Sequence, residues 1–190
     1  MARLAVLMAE GFEEIEALMV VDFCRRAGIR VDMLSIMDKM VVKSAHDVSV
    51  RCNKLIWDAK AKKYDGVYLP GGLPGANYLA QSKEVAKFLK KMEKDNKLIA
   101  AQCAAPLALD ENDLLEEGKF TCYPGFEENL ETQGRQDQAL VKNGQVWTGM
   151  GPLLTPLMAF AIIEELAGKD KAQEIKKETL LGELKDSLCK

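Results

Sequence analysis

Short apolar runs alternate with amphipathic or charged stretches along most of the chain. Residues 3–9 (RLAVLMA) are continuously apolar after the first position and stop at Glu10-Gly11, which predicts a strand buried on both faces. Residues 13–27 contain no helix breaker, carry Arg25 and Arg26 in their last turn and are followed by Gly28, so they predict a helix. Residues 29–36 predict the next strand. A strand–helix–strand unit with such short connections implies parallel pairing. In residues 39–52, β-branched positions on both sides of Ser44-Ala45-His46-Asp47 predict a hairpin. A buried strand over 64–72, a charged amphipathic helix over 82–95, a strand over 97–102 and a helix from about Ala105 come next. Asn143-Gly144 between two β-type runs predicts a second hairpin over 139–149. Residues 155–167 and 170–188 predict two final helices. The alternation predicts an α/β fold with a mostly parallel central sheet between helical layers. With no repeat, low-complexity tract or linker to divide it, one domain over residues 1–190 is expected.

Composition narrows the function classes. Hydrophobic residues make up 48% and charged residues 29% of the 190 positions, as in an ordinary globular protein. A formal net charge of -3 supplies no electrostatic footprint for nucleic acid or an anionic membrane. No long apolar segment or signal-like opening is present, so no membrane association and a cytoplasmic location are expected. The cysteines Cys24, Cys52, Cys103, Cys122 and Cys189 are odd in number and widely spaced, without C-x-x-C, which argues for reduced thiols. His46 is the sole histidine, so no metal ligand set is expected, and a Cys–His mechanism has one candidate at most.

In open α/β sheets, ligands gather beyond the carboxyl ends of the strands. Three chemically suggestive stretches fall at such ends: Gly11 to Glu16, residues 70–77 (PGGLPGAN) and Cys103. In residues 97–109 (KLIAAQCAAPLAL), an apolar run is broken by Gln102-Cys103 and restarted at Pro106. A nucleophile on a tight strand-to-helix turn needs small residues two positions to either side, here Ala101 and Ala105. The following helix N-terminus would lower the thiol pKa. The competing reading is a buried structural cysteine. Residues 70–77 lack the spacing of a nucleotide-phosphate loop. Backbone N–H groups at Gly72 and Ala104 could instead face one oxygen as an oxyanion site, and an ordinary Gly/Pro turn is the alternative.

At 100° per residue, Glu16 shares a helix face with Val20, Phe23 and Ala27. A buried, unpaired acid has a raised pKa and can exchange protons near neutral pH, whereas a half-exposed helix-start carboxylate would only favour the helix dipole. Glu14 falls near Arg25 on another face and reads as a solvated charge; Glu13 is ambiguous. His46 reads as an exposed turn residue, Tyr123 as packing or a hydroxyl donor. Met150 and Met158 read as core or interface, and the charges of 169–186 as a solvated helix face.

The ordered set AEGFEEIEA, DFCRRAGIRVDMLSI, YDGVYLPGG, LIAAQCAAPLAL, TCYPGFE and GMGP resembles the ThiJ/PfpI superfamily, closest to its Parkinson's-disease deglycase branch, over about residues 2–180. The resemblance implies a flavodoxin-like three-layer sandwich, usually a homodimer. It implies a reactive cysteine at Cys103, a partner glutamate at Glu16, and backbone donors at Gly72 and Ala104. Tyr123, His46 and Gln102 are further expected pocket residues. The implied activity is a cofactor-free glyoxalase or deglycase acting on methylglyoxal-type α-oxoaldehydes or early glycation adducts. The alternative is a stress sensor or chaperone-like protein with an oxidisable cysteine. This chain departs from the family pattern where Gln102 replaces the usual residue of AICA, Tyr123 a histidine, and Met150 an arginine.

Overall fold

The computed structural model of the protein describes residues 1–188; Cys189 lies outside them. The strands are β1 (Arg3–Met8), β2 (Arg30–Ser35), β3 (Val41–Lys43), β4 (Ser49–Arg51), β5 (Lys54–Leu55), β6 (Gly66–Leu69), β7 (Leu98–Gln102), β8 (Leu140–Asn143) and β9 (Val146–Gly149). Seven of them form one sheet in the order β5-β2-β1-β6-β7-β9-β8, parallel except for β8, which pairs antiparallel with β9. β3 and β4 form a separate antiparallel hairpin. Apart from the edge strand β5, the parallel order is that of flavodoxin-like sheets, which reverse direction beside the first strand.

The helices are α1 (Glu14–Arg26), α2 (Gly75–Gln81), α3 (Lys83–Lys94), α4 (Pro106–Asp110), α5 (Thr155–Ala167), α6 (Lys169–Glu178) and α7 (Leu181–Leu188). Side-chain alternation in β1 explains the two outer layers. Leu4, Val6 and Met8 meet Val20, Cys24 and residues of α5 and α6 on one face. Ala5 and Leu7 meet Leu79, Leu89, Met92 and Leu109 from α2, α3 and α4 on the other. A strand covered on both faces must be apolar at every position, which is why β1 and β6 read as unbroken hydrophobic runs.

Three expectations are corrected. The strand expected over 64–72 is only the four residues of β6, which stops at Leu69, and the PGGLPGAN segment turns into α2. The helix after Cys103 has only the five residues of α4, too short for a developed macrodipole. The helix expected over 170–188 breaks at Leu180, whose φ is +58°, giving α6 and α7.

Candidate functional site

The ends of β1, β6 and β7 meet at the point where the sheet order reverses. Cys103 follows β7 directly and has φ +61°, a left-handed conformation uncommon for a residue with a side chain. Backbone bonds hold it there. Its N–H donates to Gly149 O (2.9 Å), its carbonyl accepts from Tyr123 N–H (2.9 Å), and Ala105 N–H donates to Gln102 O (2.9 Å). Ala101 and Ala105 are completely buried on either side, so the turn has no space for larger residues. The sharp-bend expectation for Cys103 thus has a physical basis in small neighbours and three fixed hydrogen bonds.

Gly71 and Gly72 bring the end of β6 against this turn. A Cβ on Gly71 would lie 2.7 Å from the Cys103 Cβ and 2.9 Å from Ala104 N. Gly72 has φ +89°, and a Cβ there would collide with the backbone of Phe12 and Glu13. Only glycines let three chain segments approach so closely. The approach is sealed by Glu13 N–H donating to Gly71 O (2.9 Å) and by Gly71 N–H donating to Glu16 Oε2 (2.7 Å).

Glu16 is 0% exposed. Oε1 has no hydrogen-bond partner among the described residues, and the carboxyl lies close enough to the Cys103 thiol for each to shift the other's proton affinity. Burial is the main cause that pushes its pKa up to about 7, with the neighbouring Glu13 charge adding; the Gly71 N–H and the thiol oppose the rise. The Cys103 thiol is half-buried and its pKa is raised, first by burial and then by the charge and hydrogen bond of Glu16. The expected lowering by a helix N-terminus is not the governing effect. The groups that favour the thiolate are the backbone N–H groups of Ala104 and Gly72. The thiol and carboxyl therefore titrate as a pair, and protonation of Glu16 removes the charge that opposes thiolate formation.

Cys24, Cys52 and Cys122 are buried, and burial raises each of their thiols to about 12. Among the described residues, Cys103 is the one cysteine open to solvent.

A concavity of about 260 Å³ opens over the sulfur, with Gly72, Ala104, Tyr123 and His46 among its lining residues. Tyr123 is 52% exposed at the mouth. His46 sits in the β3–β4 turn, where its Nδ1 pairs with Glu14 Oε1 at 2.9 Å; that bond raises the imidazole pKa. Glu14 is thus a half-buried partner of His46 rather than a solvated neighbour of Arg25, whose guanidinium goes to Val31 O and Asn53. Glu13, Glu14 and His46 bring ligand-type atoms within 4.8 Å of one another, but the His46–Glu14 pair and the capping of α1 by Glu13 already engage them.

Gln102 is not part of the concavity, contrary to expectation. It is completely buried; its Oε1 accepts from Tyr68 OH (3.2 Å), and its Nε2 donates to Gly151 O and Thr155 Oγ1 (both 2.7 Å). Strand alternation turns residue 102 toward α5 while the next residue faces the opening. Met150, in place of the family arginine, lines a neighbouring apolar hollow with Tyr123, Pro124 and Leu153.

Sequence reasoning missed Gly71 as the donor to Glu16, and Ala45, Leu73 and Phe126 as lining residues. The Gly-Gly pair was a usable signal for the first. Leu73 and Ala45 adjoin Gly72 and His46 in stretches the sequence did mark, whereas Phe126 has no such signal.

Comparisons with known proteins find relatives over most of the chain. The model of the DJ-1/PfpI family matches residues 2–165. Protein dj-1beta of Drosophila melanogaster is 36% identical over 178 residues, covering 93% of this chain and 95% of the relative. Its crystal structure superposes with a TM-score of 0.90 at 35% identity, covering 94% of this chain and 97% of that one. The glutathione-independent glyoxalase DJR-1.2 of Caenorhabditis elegans is 29% identical over 178 residues, covering 93% and 94%. The structure of oxidized Toxoplasma gondii DJ-1 has a TM-score of 0.89 at 32% identity, covering 95% and 98%.

Proposed function

The chain belongs to the DJ-1/PfpI family, and from that premise we propose that it is a cofactor-independent glyoxalase or deglycase acting on methylglyoxal-type α-oxoaldehydes or early glycation adducts. The observation that carries this reading is that Gly71, packed against Cys103, donates to a fully buried Glu16 carboxyl poised at about pKa 7. An acid–base group is most effective when its pKa lies near the working pH.

The chemistry is redox-neutral. The Cys103 thiol adds to the aldehyde carbon of methylglyoxal, its proton passing to Glu16 and the new alkoxide facing the N–H groups of Gly72 and Ala104. The alkoxide takes this proton back from Glu16, leaving a neutral hemithioacetal and an ionised carboxylate. Ionised Glu16 then removes the former aldehyde hydrogen as a proton, giving an enediol. Return of a proton to the adjacent carbon gives the lactoyl thioester. Water cleaves the thioester to lactate and regenerates the thiol, so one methylglyoxal and one water become one lactate. The glyoxalase name of the Caenorhabditis elegans relative supports the substrate class.

The test is lactate formation from methylglyoxal without glutathione. The wild type is expected to form lactate, and Cys103→Ser to lose at least about 10³-fold, as removal of a nucleophile does elsewhere. Wild-type rates in Cys103→Ser would refute the scheme.

A second reading rests on the same solvent-open sulfur: a sensor in which peroxide oxidises Cys103 to the sulfinate and protonated Glu16 donates to one of its oxygens. Selective addition of two oxygens at Cys103, without aldehyde turnover, would favour it. We further propose a cytoplasmic homodimer. Ile15 of α1 and Leu153 and Leu157 near the start of α5 are exposed apolar groups, and α1 packs against α5. Light scattering should give twice the chain mass, and Leu153→Lys should lower it.

A further inference from the structure

The electrostatic balance around the concavity is one-sided. α1 contributes three carboxyls: Glu13 on the lining, Glu14 beside it and Glu16 behind the sulfur. Among the described residues no lysine or arginine lines it. The one basic group is His46, already paired with Glu14. The nearby Arg135 is engaged by Cys122 O at 3.1 Å and by Asp137 and Glu127. In the β3–β4 turn, Lys43 pairs with Asp47. The outer wall is apolar, formed by Leu73, Tyr123 and Phe126.

Glu13 holds a distinctive place in this set. It is only 9% exposed, and one oxygen, Oε2, caps α1 by accepting from Glu16 N–H at 2.6 Å. Its residue borders the same opening as Cys103, and no basic side chain is bonded to it. A negative charge held at the wall of a partly desolvated opening acts strongly on any charged group that enters.

We propose that Glu13 is a specificity-determining residue, whose carboxylate selects neutral α-oxoaldehydes bearing an apolar substituent over those bearing a carboxylate or phosphate. The proposal deepens the glyoxalase reading and rests on it for the identity of the substrates. The apolar wall receives the substituent of a neutral dicarbonyl. An anionic substrate would bring its charge against Glu13, with His46, already paired with Glu14, as the one basic group on the lining.

Alkylation of Cys103 separates this selection from catalysis. Iodoacetamide and iodoacetate attack the same thiolate and differ in charge, so any change in thiol pKa cancels in the ratio of their rates. The ratio is read on the Cys103 peptide by mass spectrometry, at mildly alkaline pH, and normalised to a free cysteine derivative. Wild type should favour iodoacetamide by about 10-fold beyond the free thiol, and Glu13→Gln or added salt should remove most of that preference. The amide oxygen of the variant can still cap α1, and an unchanged melting temperature would verify it. In turnover, Glu13→Gln should raise kcat/KM for 4-carboxyphenylglyoxal relative to phenylglyoxal by a similar factor. A wild-type alkylation ratio equal to the free thiol's, or a ratio unchanged in Glu13→Gln, overturns the proposal. Absence of turnover with methylglyoxal, phenylglyoxal and 4-carboxyphenylglyoxal alike would instead refute the glyoxalase reading, and the alkylation ratio would still decide the role of Glu13.

Discussion

Two buried carboxyls flank β1, and their surroundings drive them in opposite directions. Asp32 on β2 accepts from Arg3 Nη2 (2.8 Å), Lys54 Nζ (2.9 Å) and Tyr64 OH (2.9 Å). Burial would raise its pKa, but the three donors outweigh burial and hold it at about 2. Glu16 on α1 has a backbone N–H and a thiol for partners, no cation, and a second carboxyl nearby; it stands at about 7. The same functional group is therefore a fixed anion tying β1, β2 and β5 together in one place, and a group able to take up or release a proton in the other. Burial pushes both up; Asp32 has cations that outweigh it, and the deeper Glu16 has none.

The largest effect that would test this contrast is catalytic. Glu16→Gln should lower lactate formation by about 10²–10⁴-fold, whereas Asp32→Asn should leave it within about twofold. Glu16→Gln should also shift the pH midpoint of Cys103 alkylation downward, because the carboxylate that raises the thiol is gone. Comparable losses in both variants would break the distinction.

The next effect is on stability. The folded-state pKa of Glu16 lies above its ordinary value of 4.5, so its contribution is complete below about pH 4.5 and is lost as pH rises through about 7. At pH 8 Glu16→Gln, which can still accept from Gly71 N–H, should be more stable than wild type by up to about 3 kcal/mol in urea unfolding. For Asp32 the sign is opposite. Its pKa is depressed, so its contribution is present above the ordinary 3.8 and is lost as pH falls through about 2. Asp32→Asn should cost about 2 kcal/mol at neutral pH, and the difference should shrink in acid. The smallest effect belongs to the exposed pair: His46→Asn should leave the melting temperature unchanged within error, because a solvated ion pair contributes little.

Legibility in the sequence followed the range of the interactions. Strands buried on both faces announce themselves by unbroken apolar runs, and α1 by its uninterrupted pattern, terminal arginines and Gly28. The short α4 and the break at Leu180, where the backbone turns left-handed, were not legible in the apolar pattern. Cys103 and Glu16 stood out because each breaks a local rule: a thiol interrupts an apolar run, and an acid occupies an apolar stripe. Gln102 broke a local rule too, yet its hydrogen bonds run to Tyr68, Gly151 and Thr155, away from the opening. A polar residue beside a nucleophile says that something buried needs a partner; it does not say on which side.

What the sequence alone determined was the alternation of strands and helices, hence a mostly parallel sheet with its chemistry at the strand ends. It also put forward Cys103 and Glu16 as candidates, their pairing being implied by the family resemblance. Those properties follow from periodicity and from turns that only small residues can make, both encoded over a few neighbouring positions. What only the tertiary structure decided was the proton affinity of the pair, the closeness allowed by Gly71 and Gly72, and the pairing of His46 with Glu14. Electrostatic energy depends on which groups from distant segments come within a few ångströms and on how much water they exclude, and neither quantity is carried by local order along the chain.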